Sequence, residues 1–209
     1  MERASGSAAR VASSPERQGE YILVRPIRVE PGRLLTLRLH GRRLARLDQY
    51  GIREIEVLEG ERLLQRILLR DVLDPESGEA GKYTAYWSED GGLITQVMNF
   101  DGAQDIGLVG WVPASGNVPR YYWLWSREKE QFLYAFCLPN ATADADARQI
   151  VTWTRDGAAV QQTDFYAYDE TGALRHVRRI VETRREDGTV RRELYERIGD
   201  ALRKTEEAG

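Results

Sequence analysis

A run of nine residues at 97–105, VMNFDGAQD, places oxygen-bearing side chains at alternate positions around a glycine. Calcium loops written D-x-N-x-D-G-x-x-D use this spacing, because the glycine lets the backbone turn tightly enough for the oxygens to converge on one ion. Asn99, Asp101 and Asp105 fall in register with that pattern. The backbone carbonyl of Ala103 would supply a further ligand. These four residues are therefore the candidate metal ligands of the chain.

Two positions depart from a complete calcium loop. Val97 occupies the first ligand position and has no side-chain oxygen, and Leu108 stands where an EF-hand carries its glutamate. The sequence therefore supports two interpretations. One is a weak calcium site that lacks a ligand, and the other is a tight Asp-Gly turn that joins two strands without a metal.

A second candidate site is the stretch at 110–120, GWVPASGNVPR, which is long and rich in glycine, proline and asparagine. Loops on a rigid β scaffold often bind partners, and Trp and Arg are favoured anchors of protein interfaces. We predict a partner-binding site formed by Trp111, Asn117 and Arg120. The competing interpretations are that Trp111 folds back onto the core and that Asn117 only serves the turn.

Catalytic chemistry finds little support in the sequence. Neither a G-x-S-x-G nor an H-E-x-x-H motif occurs, and the carboxylates form no recognisable pair of the kind that a glycosidase needs. His40 and His176 are expected at the surface, and Cys137 is expected to be a small buried hydrophobe after an apolar strand. We therefore predict that the protein is not an enzyme.

Composition limits the partners and the compartment. The chain of 209 residues carries a net charge of −3, which argues against nucleic-acid binding, and its one cysteine excludes an intrachain disulfide. No apolar run approaches the roughly 20 residues of a membrane-spanning helix, and the N-terminus lacks the hydrophobic region of a signal peptide. We expect a disordered tail at 1–19, followed by a single all-β domain at 20–209 that is a monomer.

Short runs of alternating apolar residues, broken by turn residues, follow from residue 21 onward. This pattern predicts an all-β, antiparallel fold of about ten to twelve short strands, arranged as a propeller-like structure, a sandwich or a barrel. The segment at 190–207 fits either a helix or a strand.

Two aromatic segments mark the centre of the predicted fold. In YYWLW at 121–125, alternate residues point to opposite faces, so that large side chains cover both sides of the strand. Such a strand is usually central in its protein. The return strand is expected to place Phe132, Tyr134 and Phe136 on one face.

The order of these segments resembles that of one protein family. The NFDG-x-x-D loop is followed by a loop with Gly, Pro and Asn, by YYWLW, by an aromatic return strand, by TWTRDGAA at 152–159 and by DFYAY at 164–168. This order, which covers residues 54–185, resembles that of bacterial all-β, propeller-like envelope proteins with a D-x-N-x-D-G-x-x-D calcium loop.

The resemblance implies a function as an immunity protein. The best-understood relatives bind and inhibit lysozyme-type glycoside hydrolase effectors delivered by type IV secretion. The chain is accordingly expected to be a non-enzymatic inhibitor with a protein partner. The sequence as written points to the cytoplasm, whereas a removed leader would place the protein in the periplasm or outside the cell. The alternatives are a structural or carbohydrate-binding surface module with a degenerate calcium loop, and a hydrolase whose site the sequence does not reveal.

Overall fold

The computed structural model describes residues 21–44, 49–71, 84–86 and 92–208, which form fifteen β-strands in three antiparallel sheets. Within these ranges there is no α-helix, and a single 3-10 turn covers Leu69–Asp71. The predicted all-β, antiparallel class is confirmed. The strands outnumber the ten to twelve that we expected, because several of them are only three or four residues long. The predicted tail at 1–19 lies outside the described residues.

The first sheet contains five strands. They are Tyr21–Glu30 (β1), Arg33–Leu44 (β2), Gln49–Glu59 (β3), Arg62–Leu68 (β4) and Thr84–Tyr86 (β5). The first four lie in chain order, and β5 pairs with the start of β3. Gly32 and Gly60 adopt positive φ angles of 82° and 61° in the hairpin turns before β2 and β4, a conformation that glycine reaches without steric cost.

The second sheet contains four strands in chain order. They are Leu93–Gln96 (β6), Asp105–Val109 (β7), Pro119–Ser126 (β8) and Gln131–Pro139 (β9). The calcium-type loop joins β6 to β7, and the candidate partner-binding loop joins β7 to β8. Both candidate sites therefore lie on consecutive connections of one sheet.

The third sheet contains six strands in chain order. They are Thr142–Asp144 (β10), Gln149–Asp156 (β11), Val160–Tyr168 (β12), Leu174–Arg184 (β13), Val190–Ile198 (β14) and Ala201–Ala208 (β15). The segment at 190–207, which fits a helix or a strand in sequence, thus forms a β-hairpin. None of the three sheets closes on itself within the described residues. The arrangement is sandwich-like rather than a closed barrel.

The second sheet lies between two hydrophobic cores. Trp123 and Trp125 of β8 belong to the larger core, which they share with residues of the first sheet such as Leu37. Tyr122, on the opposite face of β8, belongs to the smaller core, which it shares with Ile150 of the third sheet. The prediction that β8 is covered on both faces is confirmed.

The return strand differs from its predicted alternation. Phe132 is buried in the larger core, but Phe136 packs against the smaller one on the other face of the sheet. The cause is a β-bulge, because Tyr122 lies opposite Phe136 whereas Trp123 lies opposite Tyr134. The extra residue shifts the alternation of side chains by one position. The prediction that the three aromatic residues share one face is therefore wrong.

Candidate partner-binding site

The calcium-type loop closes on itself through side-chain to backbone hydrogen bonds. The Asn99 side-chain oxygen accepts the backbone N–H of Asp101 at 3.2 Å, and Asp101 Oδ1 accepts that of Ala103 at 2.8 Å. Phe100 and Gly102, which alternate with these residues along the chain, adopt positive φ angles of 61° and 85°. Local bonds of this kind are how Asn and Asp build tight turns.

Asp105 ends the loop and is completely buried. Its Oδ2 accepts the backbone N–H of Met98 at 2.7 Å, and its Oδ1 accepts that of Trp125 at 2.8 Å. Loss of hydration on burial raises the pKa of this carboxyl to about 6, although both amide donors act to lower it. Asp105 therefore joins the loop to the central aromatic strand.

A positive side chain of the protein itself stands beside the loop. Arg127, in the turn after β8, donates from Nη2 to the carbonyl oxygen of Asp101 at 3.0 Å. Its Nε donates to Glu30 at 2.8 Å, and its Nη1 lies 4.0 Å from Asp101 Oδ2. The Trp125 indole N–H donates to the same oxygen of Glu30 at 3.2 Å. The loop is thus clamped between the first sheet and β8.

The residues present do not fit a calcium ion well. Calcium takes six to eight oxygens, but Val97 offers none and both Asp105 oxygens accept backbone amides. In the described ranges, no three His, Cys, Asp or Glu side chains form a group that could hold a metal. Asn99, Asp101, Ala103 and Asp105 are brought together as a closed turn. Weak calcium binding stays a prediction.

The connection at 110–120 is fixed at its base. Gly110 donates its backbone N–H to the carbonyl of Pro119 at 2.7 Å, and within the loop Gly116 donates to Pro113 at 3.0 Å. A Cβ atom at Gly110 would lie 2.7 Å from the Pro119 ring, so that glycine is required for the two ends to meet. The loop therefore has a defined shape.

Asn117 attaches the loop to the third sheet. Its side-chain amide donates to the carbonyl of Arg155 at 2.9 Å and accepts the backbone N–H of Arg155 at 2.8 Å. The pairing of β10 with β11 ends at Val151, so the edge of β11 at Arg155 lies beyond β10. The Asn117 side chain takes the place of a neighbouring strand there.

Asn140 makes a second attachment of the loop to β11. Its side-chain N–H group donates to the carbonyl oxygens of Gly116 and Trp153, each at 3.0 Å, and its backbone N–H donates to Val118 at 2.8 Å. Asn140 is buried and has a positive φ angle of 50°. Sequence reasoning missed this residue because no motif surrounds it.

Arg120 also binds its own chain. Its Nη1 donates to the carbonyl of Ala141 at 2.7 Å, and the Tyr122 hydroxyl donates to the same oxygen at 3.0 Å. The pKa of Tyr122 is raised above its ordinary value, mainly because the hydroxyl is buried, although the neighbouring Arg120 acts to lower it. Arg120 and Asn117 therefore shape the loop.

Trp111 differs from the other two predicted residues of the partner-binding loop. Its side chain is 49% exposed, so it does not fold back onto either core. Trp153 on β11, which sequence reasoning did not single out, is 40% exposed beside the loop. The guanidinium group of Arg155 lies 5.7 Å from the centre of the Trp153 ring. Because side chains alternate between the two faces of a strand, the sequence places Trp153 and the buried Thr152 on opposite faces of β11. It does not indicate which of these two faces is covered by the rest of the protein.

Both histidines are half-buried, and each lies beside a carboxylate. His176 Nε2 lies 2.7 Å from Asp164 Oδ1, and the His176 ring stacks on Tyr166 with centroids 4.7 Å apart. Arg179 donates to the same buried carboxylate at 2.6 Å. His40 Nε2 lies 3.1 Å from Glu56. These pairs connect neighbouring strands of their sheets.

The sequence matches no family model and no curated protein. Its fold is similar to that of a type IV secretion system related protein of Xanthomonas. The two structures align over 94% of this chain and 97% of that one, with a TM-score of 0.63 and 10% sequence identity. At this identity the likeness shows the fold alone. A protein of unknown function from Bacteroides fragilis aligns over 91% of this chain and 92% of that one at 8% identity, with a TM-score of 0.31 that carries no argument.

In the part of the chain that the structure describes, no helix has the length and the apolar character needed to cross a membrane.

Proposed function

We propose that this protein is a non-enzymatic inhibitor that binds a lysozyme-type glycoside hydrolase and fills its cleft with the loop at 110–120. The single observation that carries the proposal is the half-exposed indole of Trp111 on a loop that is held at its base and at β11. Tryptophan is among the residues that most often dominate the energy of a protein interface.

The attachments of the loop explain why it would bind well. A loop that is ordered before binding loses less conformational entropy when the complex forms, and this loss otherwise weakens affinity. Asn117, Asn140 and Arg120 order the loop from within the protein. Trp111 would then be the anchor of the interface, and the other two predicted residues would position it.

The choice of a glycoside hydrolase as the partner rests on two supports. One is the order of the sequence segments that run from NFDG-x-x-D to YYWLW, which resembles the order of segments in immunity proteins. The other is the fold shared with a Xanthomonas protein described as related to the type IV secretion system. A glycosidase cleft is shaped to hold sugar rings, and the exposed indole of Trp111 suits such a surface.

A peptidoglycan-hydrolysis assay with purified lysozyme-type glycoside hydrolases tests the proposal. The panel includes enzymes delivered by type IV secretion, and calorimetry measures the stoichiometry. The wild-type protein should inhibit at least one enzyme as a 1:1 complex. Trp111→Ala should lose about 2 kcal/mol of binding, or roughly thirtyfold in affinity, without a change in melting temperature.

Leu34→Ala is the matched control for loss of an exposed apolar side chain, because Leu34 is 59% exposed on the first sheet. It should leave inhibition unchanged. Failure of the wild-type protein to inhibit any enzyme of the panel would refute the proposed function. Equal losses in the two variants would show that Trp111 is not the anchor.

A carbohydrate-binding surface module is the second candidate function. It is favoured by three exposed aromatic side chains, Trp111, Trp153 and Tyr134, which are 49%, 40% and 45% exposed. Such a module would bind purified peptidoglycan fragments in the absence of any enzyme. Glycan binding without enzyme inhibition would therefore favour the module over the inhibitor.

A further inference from the structure

The third sheet ends at β15, and one edge of this strand pairs with no strand in the part of the chain that the structure describes. The strand runs from Ala201 to Ala208 and contains no proline. An edge strand presents backbone N–H and C=O groups that can pair with a further strand, so proteins either protect such an edge or use it for assembly. The charges along β15 indicate which strand its edge would accept.

The charges of β15 are divided between the two halves of the strand. It reads ALRKTEEA, with Arg203 and Lys204 before Thr205 and with Glu206 and Glu207 after it. When two copies of such a strand pair in antiparallel orientation, the positive half of each faces the negative half of the other. Opposite charges across a strand pair stabilise it, and like charges destabilise it. The edge of β15 is therefore complementary in charge to a second copy of itself.

A β-bulge in β15 brings Arg203 and Glu206 to the same face of the sheet. Residues three apart in a regular strand point to opposite faces. Here Arg203 lies opposite Glu196 and Glu206 lies opposite Leu194, with a register shift between these two pairs. Because positions 194 and 196 of β14 are two residues apart, they share a face, and so do the two charged residues that lie opposite them.

The two charged residues on the opposite face of β15 are already paired within the chain. Lys204 contacts Glu207, whose carboxylate also lies 2.8 Å from Arg191 Nε. Within the described residues, in contrast, neither Arg203 nor Glu206 forms an ion pair, although both are exposed. The charges of Arg203 and Glu206 are therefore available to a partner.

The other sheet edges are less suited to pairing with a copy of themselves. β1 contains Pro26, which has no N–H group to donate. The charged residues of β4 are Arg62 and Arg66, so self-pairing would bring like charges together. In β9, the Gln65 side chain already binds both backbone groups of Phe132. The strands β5, β6 and β10 are only three or four residues long.

We propose that β15 pairs in antiparallel orientation with β15 of a second copy of this chain, about a two-fold axis between Lys204 and Thr205. In this register Arg203 of each copy lies opposite Glu206 of the other, so two ion pairs join the copies. The axis also joins the two six-stranded sheets into one continuous sheet. This inference goes beyond the proposed function and does not depend on it. It replaces the monomer expected from the sequence with a dimer.

Charge reversal tests the pairing. Analytical ultracentrifugation measures the dimer dissociation constant of the wild-type protein, of Arg203→Glu, of Glu206→Arg and of the double variant that carries both changes. The wild-type protein should form a dimer that high salt weakens. Each single variant sets like charges opposite one another and should weaken the dimer by about tenfold or more. The double variant restores opposite charges across the axis, so its dissociation constant should return to within about threefold of the wild-type value.

Arg28→Glu is the matched control, because Arg28 is exposed on β1, the edge strand of another sheet. It makes the same charge reversal and should change the dissociation constant by less than about twofold. Melting temperature is measured on every variant, so that loss of pairing is distinguished from loss of folding. If a reversal lowers the melting temperature, Arg203→Ala and Glu206→Ala take its place, since they remove a charge without adding repulsion.

Three outcomes would overturn the inference. The first is a wild-type protein that stays monomeric at low salt and high concentration. The second is a dimer that both single variants leave unchanged, because the copies would then meet at another surface. The third is a double variant that melts like the wild-type protein and does not regain the dimer, because the two charges would then not lie opposite each other. A wild-type dimer that inhibits no enzyme would refute the proposed function and leave this inference standing.

Discussion

The carboxylate of Asp105 accepts the backbone N–H of Trp125 at 2.8 Å, so the last residue of the calcium-type loop fixes the position of the central aromatic strand. The same carboxylate accepts the N–H of Met98 at the start of the loop. One buried side chain thus links the start of the loop, β7 and β8.

Stability should fall as the pH rises through the titration of Asp105. Burial raises the pKa of Asp105 to about 6 in the folded protein, whereas an unfolded aspartate titrates near 3.9. The folded state therefore holds the proton more tightly, and the stabilisation by protonation is complete below about pH 4 and lost above about pH 6. By linkage this amounts to about 3 kcal/mol.

The measurement is the free energy of unfolding in urea at several pH values from 4 to 7, for the wild-type protein and for Asp105→Asn. As the pH rises, the free energy of unfolding of the wild-type protein should fall relative to that of Asp105→Asn. Asp105→Asn should itself be less stable, because its amide N–H group faces a backbone donor. A constant difference across this range would show that the Asp105 pKa is not raised.

The sequence identifies the strands better than the contacts between them. The opposite faces of β8 follow from alternation, because large residues at every position of YYWLW can be buried only between two cores. The bulge that turns Phe136 to the smaller core has no sequence signal, since Ala135 is compatible with any strand position.

The candidate sites show the same limit of sequence reasoning. The spacing of Asn99, Asp101 and Asp105 predicts a closed turn, and they form one. The pattern does not reveal that Asp105 binds two amides or that Arg127 approaches from the turn after β8, because both contacts join segments distant in sequence. Asn140 is missed for the same reason, since its acceptors lie on the loop and on β11.

Calcium should have little effect on the wild-type protein. The loop lacks an oxygen at Val97, and Arg127 already places a positive charge beside Asp101. We predict an affinity no better than millimolar and a melting temperature that barely moves with calcium. Val97→Asp should restore binding if the geometry of the loop is intact. A rise of several degrees in the wild-type melting temperature at ~1 mM calcium would contradict the prediction, because a ligand that binds the native state must stabilise it.

Asn140→Ala should destabilise the protein by about 1–3 kcal/mol. The substitution removes the side-chain donor to Gly116 and Trp153. It also places alanine, instead of asparagine, at a positive φ angle. Asn140→Gly loses the same hydrogen bonds but accepts the backbone conformation, so it should be less harmful than the alanine variant. Urea unfolding of both variants separates the two contributions. Equal stability of the two variants would show that backbone strain at position 140 is negligible.

Gly107→Ala should destabilise the smaller core by about 1–3 kcal/mol through overpacking. A Cβ atom at Gly107 would lie 2.7 Å from Cε1 and 2.8 Å from Cδ1 of the Tyr122 ring, and Tyr122 is fully buried and bonded to Ala141. The ring cannot move away without losing that hydrogen bond.

The measurement is a double-mutant cycle with Tyr122→Leu, which removes most of the ring. The double variant should lose less stability than the sum of the two single variants, because the clash is absent when the ring is absent. Strictly additive losses would mean that Gly107 is not required for the packing of Tyr122.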